Sequence, residues 1–191
     1  LIFVNTKLNI IDKNTSGGIE TLNFELSNYL KKKKFFVVLS SRVHNKILTT
    51  VWDIIISSND AKIFDITTSK RKILWLHNKL QIEKSLRKRQ FFSILNNKIE
   101  AIFVSKYLEK NTSKFYNFHR RTVIPNFLPK IFIKEKNIPK KHLKKVFVWS
   151  VQRKKGLDYV LDLWVNRISP KHPHAEFHIF SINQIKKKKF Q

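Results

Sequence analysis

LIFVNTKLNIIDKNTSGGIETLNFELSNYLKK, residues 1–32, sets an apolar run, a glycine pair and a helical pattern one after another. Leu1 to Val4 is short and rich in β-forming residues, which predicts a strand. Ile19, Leu22, Leu26 and Tyr29–Leu30 recur at the 3.6-residue period and predict a helix over 19–31, with those side chains on one face. Between them stands Asn14-Thr15-Ser16-Gly17-Gly18. Glycine lets a backbone turn tightly and approach a ligand without a side chain in the way. The helix N-terminus just beyond offers free N–H groups and the positive end of a dipole, which suit a phosphate.

The same arrangement returns late in the chain. Gly156, in Arg153-Lys154-Lys155-Gly156-Leu157, separates the apolar run Val146-Phe147-Val148-Trp149 from a periodic segment, Leu157 to Val165. Two such turns point to a nucleotide-type ligand held by two α/β units.

Between these turns the alternation continues. Strands are expected at Leu1–Asn5, Phe35–Ser40, Asp53–Ser57, Lys72–His77, Ala101–Val104, Arg121–Ile124, Val146–Trp149 and Glu176–Phe180. Helices are expected at Ile19–Lys31, Ile82–Leu95, Lys106–Tyr116 and Leu157–Ile168, with Ser105 as the N-cap of the third. Alternating elements of this kind imply an α/β fold: a Rossmann-like, doubly wound parallel sheet whose ligands bind beyond the carboxyl ends of the strands. Pro125, Pro129 and Pro139 punctuate a lysine-filled stretch before Val146. We therefore expect a first domain over 1–128, a linker over 129–145, and an incomplete second α/β domain over 146–191.

Composition narrows the function classes. The 16 Phe and 4 Trp supply ample material for a packed core, which argues against disorder. Lysine and arginine exceed aspartate and glutamate by 39 − 13 = 26, so nucleic acid, anionic lipid and phosphorylated ligands are all electrostatically favoured partners. Most of that excess is lysine, spread through a chain also crowded with Ile, Asn and Phe, and reads as compositional drift. A nucleic-acid-binding module is the alternative function, but no helix-turn-helix, RNA-recognition or zinc-finger pattern accompanies the charge. Without cysteine there is no disulfide framework or thiolate metal site. The scattered histidines and the lack of a carboxylate pair at either phosphate turn imply no metal and no cofactor. No apolar run approaches the roughly 18 residues that span a bilayer, and no signal-peptide pattern opens the chain, so a cytoplasmic location is expected. Lys31–Lys34, Lys84, Arg87, Lys88 and Arg89 predict peripheral contact with the anionic inner face of the plasma membrane. The absence of methionine, at position 1 as elsewhere, predicts a chain trimmed or fragmentary at its start.

Four motifs occur together: Ser16-Gly17-Gly18-Ile19-Glu20 followed by Leu22 and Leu26; Ile102-Phe103-Val104-Ser105-Lys106-Tyr107; Val123-Ile124-Pro125-Asn126; and Lys155-Gly156-Leu157-Asp158. In order and spacing they resemble family-4 glycosyltransferases of the GT-B fold, over essentially the whole chain. The resemblance implies a retaining hexosyltransferase that moves a sugar from a nucleotide diphosphate donor to a glycan or lipid-linked acceptor. It places Gly17 and Gly18 over the donor phosphates and sugar. Arg153 and Lys155 would neutralise the diphosphate leaving group, with Lys154 competing for the role of Arg153. His77, which closes the run Ile73-Leu74-Trp75-Leu76-His77, would stand near the reacting sugar as the catalytic residue. The chain departs from the pattern at Trp149-Ser150, where Gly-Arg is common, and at Phe127, where glycine is usual. The family's Glu-rich donor motif has no counterpart before Gln191, so an inactive remnant is a further alternative.

Overall fold

Apolar runs too short for helices become the strands of one parallel sheet. The computed structural model describes residues 1–6, 18–127, 146–149 and 156–180. Its first six strands are β1 (Ile2–Asn5), β2 (Val37–Ser40), β3 (Val51–Ser58), β4 (Thr68–Leu76), β5 (Ile99–Phe103) and β6 (Arg120–Val123). Between them lie α1 (Gly18–Lys32), α2 (Asn45–Thr49), α3 (Ile63–Ile66), α4 (Ile82–Arg87), α5 (Phe91–Asn96) and α6 (Lys106–Lys110). The strand order is β2-β1-β3-β4-β5-β6, and every neighbouring pair is parallel. From β1 the chain steps outward to β2, then returns past β1 to β3 and continues the other way. The winding therefore reverses between β1 and β3, where a doubly wound sheet opens a crevice at its carboxyl edge.

Alternation along each strand sorts side chains to two faces. Phe3, Ile55, Leu74, Leu76, Ile99, Ala101 and Phe103 pack against Ile47 of α2, Ile63 and Phe64 of α3, Phe91 and Ile94 of α5, and Tyr116. Ile2, Val4 and Val37 face the other way and meet Leu30 of α1, with Ile54 and Ile56 beside them. Helices thus cover both faces, and the expected α/β class with a Rossmann-like parallel sheet is the observed one.

Two expected helices are broken by local chemistry. The segment 82–95 forms α4 and α5, separated at Arg89, whose φ is 54°. In one straight helix Ser85 and Phe91 would point about 120° apart at 100° per residue. The turn brings both to the same core, where the Ser85 hydroxyl meets the Tyr116 hydroxyl at 2.7 Å and Phe91 lies 5.9 Å from the Tyr116 ring. The segment 106–116 stops at Lys110 because Asn111 Nδ2 and Thr112 Oγ1 donate back to the carbonyls of Tyr107 and Leu108. A 3₁₀ turn, Lys114–Tyr116, follows and ends at Asn117 with φ 42°. Ser105 caps α6 as expected, its Oγ accepting the Leu108 N–H at 3.2 Å. Helices α2 and α3 were not expected. Five and four residues are too few to show a helical period.

The chain divides into two compact units, Leu1–Lys134 and Glu135–Gln191. The expected linker, 129–145, lies outside the described residues. In the second unit β7 (Val146–Trp149) pairs in parallel with β8 (Glu176–Ile179), joined through α7 (Leu157–Leu163). Helix α7 runs on into a π turn over Trp164–Ile168. Trp164 sits between the rings of Phe147 and Phe177, 5.4 and 5.1 Å away.

Candidate functional site

Apolar residues give way to polar ones where β1 and β3 reach the switch point. Asn5 Nδ2 donates to Ser57 Oγ at 3.2 Å, tying the two strand ends together. One residue on, the Ser58 hydroxyl donates to Oδ1 of Asn23 on α1 at 3.0 Å. Asn23 is fully buried and its Nδ2 has no partner among the described residues, as is true of the buried Thr6 hydroxyl at the end of β1. Asn59 then takes a left-handed conformation, φ 55°. Its side-chain oxygen accepts the backbone N–H groups of His77 and Asn78, holding the end of β4.

These contacts set the rotation of α1. Of the apolar face expected for that helix, Leu22 is buried and Leu30 packs on the sheet, but Ile19 and Leu26 are half-buried and Tyr29 is exposed. The polar Glu20, Asn23 and Ser27 are buried beside Leu22. The bond from Ser58 and the Ser27 hydroxyl bond to the Asn23 carbonyl supply the polar partners that make this rotation tolerable.

A cleft of about 140 Å³ opens beside this rim, walled by Ile19 and Glu20 of α1, Ser58 and Asn59, the segment Asn78–Gln81, and Lys84, Ser85, Lys88 and Gln90. Whole small-molecule sites commonly measure about 300–1,000 Å³. The cleft is on the scale of part of a ligand, such as a phosphate with the hydroxyls beside it, rather than a whole nucleotide sugar. Glu20 is 8% exposed, and its carboxylate makes no hydrogen bond or ion pair among the described residues. Its place in the first turn of α1 sets a negative group at the positive end of the helix dipole.

The expected site residues divide as follows. Gly18 is the first residue of α1, immediately before the cleft-lining Ile19 and Glu20. A Cβ built on Gly18 meets nothing within 4 Å, so packing within the chain does not explain the absence of a side chain there. His77 follows directly on β4, whose carboxyl end the cleft adjoins, between the lining residues Leu76 and Asn78, but its ring does not line the cleft. It lies against Trp75, centroids 4.6 Å apart. Burial lowers its pKa from the usual 6.5 to about 4, so the ring is neutral near pH 7, and its Nε2 is buried without a partner. Gly17, Arg153 and Lys155 lie outside the described residues. Gly156 opens α7 with φ 100°.

Ser58, Asn59 and Lys79 were not singled out from sequence, Glu20 entered only as part of the glycine motif, and Lys84 only for membrane contact. The polar run Ser57-Ser58-Asn59-Asp60 directly after Ile54-Ile55-Ile56 is the signal that marks such a strand end. The lysines carried none, being two among many. Among the described residues no cluster of His, Asp and Glu is placed to hold a metal ion, and no helix is long and apolar enough to cross a membrane. Comparison with protein families, characterised proteins and solved structures gives no match.

Proposed function

We propose that the chain is the acceptor-side domain of a retaining glycosyltransferase together with the opening of its nucleotide-sugar domain. It would move a sugar from a nucleotide diphosphate donor to a hydroxyl of a glycan or lipid-linked acceptor. The observation that carries this reading is the position of α1. Its glycine-led N-terminus stands at the switch point of a parallel sheet and forms one wall of the cleft there. A second α/β unit follows with its own glycine-led helix, preceded in sequence by Arg153 and Lys155.

In this reaction the charge that most needs stabilising is that of the departing diphosphate, and fixed cations and N–H groups supply it without reorganisation. Arg153, Lys155, and the turns at Gly17-Gly18 and Gly156 take that role. His77, kept neutral by burial, would serve as a hydrogen-bonding group toward the reacting sugar and not as a charge, once its ring turns from Trp75 toward the donor. The rest is positioning of the acceptor hydroxyl. A peripheral seat on an anionic membrane suits a lipid-linked acceptor, with Lys84, Arg87, Lys88 and Arg89 grouped on and just after α4.

The test is turnover by the full-length protein against a panel of nucleotide sugars, read as release of nucleoside diphosphate. Lys155→Ala should fold normally and lose about 10²-fold or more, the scale of about 2.7–4 kcal/mol for a lost transition-state donor. Lys144→Ala is the control and should change neither folding nor turnover. Equal turnover by both variants sinks the placement of the donor phosphates. No turnover at all, with salt-sensitive DNA binding instead, replaces the reading with a nucleic-acid-binding module.

A further inference from the structure

The cleft beside α1 presents charges that the transfer of a sugar does not by itself use. Lys79 and Lys84 line it, are exposed, and make no ion pair or hydrogen bond among the described residues. Glu20 faces the same space, buried and equally without a partner. Several other polar groups nearby are occupied. Ser58 donates to Asn23, Asn59 holds His77 and Asn78, and Ser85 meets Tyr116. Asp60, in the turn after β3, accepts from the Lys62 N–H and from Gln90. Among the described residues, the side chains left to meet a ligand are the Lys79 and Lys84 ammonium ions, the Glu20 carboxylate and the amides of Asn78 and Gln81, and the first three carry the charge.

Glu20 is largely buried at the wall of the cleft with no partner among the described residues, so a donor hydroxyl from a ligand would give its carboxylate a hydrogen bond. Two ammonium groups that pair with nothing suit a dianion, and a phosphate monoester carries about −1.5 to −2 charge near pH 7. The cleft volume of about 140 Å³ admits both parts only if they belong to one compact molecule. We infer that this cleft binds a phosphate-bearing polyol, its phosphate on Lys79 and Lys84 and one of its hydroxyls donating to Glu20. The inference rests on the glycosyltransferase reading for its meaning: the acceptor is then a phosphorylated one. A free sugar phosphate and the headgroup of an anionic lipid share that chemistry.

The chain's general excess of lysine supplies the control. Lys31–Lys34 stand at the C-terminal end of α1 and lead into β2, at the amino edge of the sheet, opposite the cleft. The full chain is titrated with glucose 6-phosphate, inorganic phosphate and glucose, and separately with phosphatidylglycerol and phosphatidylcholine vesicles. Glucose 6-phosphate should shield Lys79 and Lys84 from acetylation, read by mass spectrometry, and leave Lys31–Lys34 reactive. The double variant Lys79→Ala/Lys84→Ala should weaken its binding 10-fold or more, while Lys33→Ala/Lys34→Ala changes it less than 2-fold. Glu20→Gln should weaken glucose 6-phosphate and leave inorganic phosphate unchanged. Phosphatidylglycerol binding that needs Lys79 and Lys84, with none of free glucose 6-phosphate, supports the inference with a lipid headgroup as the source.

Equal weakening by the two lysine double variants, or no effect of the cleft pair on either ligand, overturns the inference. Binding that depends on Lys79 and Lys84, in a protein that turns over no nucleotide sugar, keeps it and sinks the glycosyltransferase reading. Turnover onto a neutral glycan, with phosphorylated acceptors neither bound nor used, does the reverse.

Discussion

Asn59 clasps the end of β4 from the turn after β3: its Oδ1 accepts the His77 N–H at 2.9 Å and the Asn78 N–H at 3.3 Å. Its own N–H donates to the Trp75 carbonyl at 3.0 Å. One side chain thus fixes the position of the cleft floor and of His77 together. Asparagine suits the site twice over, because its amide reaches the two N–H groups and because it tolerates the left-handed φ of 55°.

Substitutions at Asn59 separate those two contributions. Asn59→Gly keeps the backbone conformation and loses the side-chain acceptor, for an expected loss of about 1–2 kcal/mol. Asn59→Ala loses the acceptor and also carries about 1–2 kcal/mol of left-handed strain. Urea denaturation of the two variants should rank them wild type, glycine, alanine. Equal stabilities for all three would show that water replaces the amide at no cost.

The pH dependence of stability should carry a mark of His77. Burial lowers its folded pKa to about 4, whereas the unfolded chain takes up a proton near 6.5. A depressed folded pKa means that the unfolded state binds more protons between those values. Stability from this residue is therefore complete above about pH 6.5 and falls away as pH drops toward 4. His77→Leu removes the titration and leaves the backbone bond to Asn59 in place. The difference between the melting temperatures of wild type and variant should shift steadily in the variant's favour from pH 7 to pH 4. A constant difference across that range would show that His77 ionises in the fold as freely as in water.

How much of this was legible in the sequence depends on the range of the interactions involved. The sheet was legible because runs such as Ile54-Ile55-Ile56 and Ile73-Leu74-Trp75-Leu76 are local and strongly β-forming. Ser105 was legible because capping is decided within three residues. The face of α1 was legible only in part, at Leu22 and Leu30. Its rotation is set by the bond between Asn23 and Ser58, thirty-five residues apart, and nothing near Asn23 announces it. Arg121 makes the same point. Its guanidinium bonds the carbonyls of Glu109 and Thr112 and the Glu109 carboxylate, and lies 5.0 Å over the Phe103 ring. In sequence it is one basic residue beside another. The site was legible as an address, the carboxyl end of a parallel strand, but Glu20, Lys79 and Lys84 line one cleft only once α1 lies beside α4 and the segment before it.

The two described glycines make opposite predictions, and the contrast tests what each is for. Gly156 has φ 100°, a conformation that side chains other than glycine rarely adopt, and it precedes Leu157, which is 2% exposed. Its Cβ position is open, so Gly156→Ala meets no clash, only backbone strain, and should destabilise the second unit by about 1–2 kcal/mol. Gly18 has neither constraint: its φ is not in the positive range and a Cβ there touches nothing within 4 Å. Gly18→Ala at the start of α1 should therefore leave stability unchanged or raise it by up to about 1 kcal/mol. Gly18→Val should cost the fold no more than about 0.5 kcal/mol, yet its branched side chain stands where a ligand's phosphate or sugar would approach the backbone. Thermal unfolding and nucleotide-sugar turnover of the full-length protein, measured on the same preparations, check both halves. A Gly18→Val protein that melts and turns over like wild type makes the glycine pair a plain turn, and one that unfolds shows that the turn itself needs the glycine. Normal melting with turnover lost leaves the approaching ligand as the reason for the glycine.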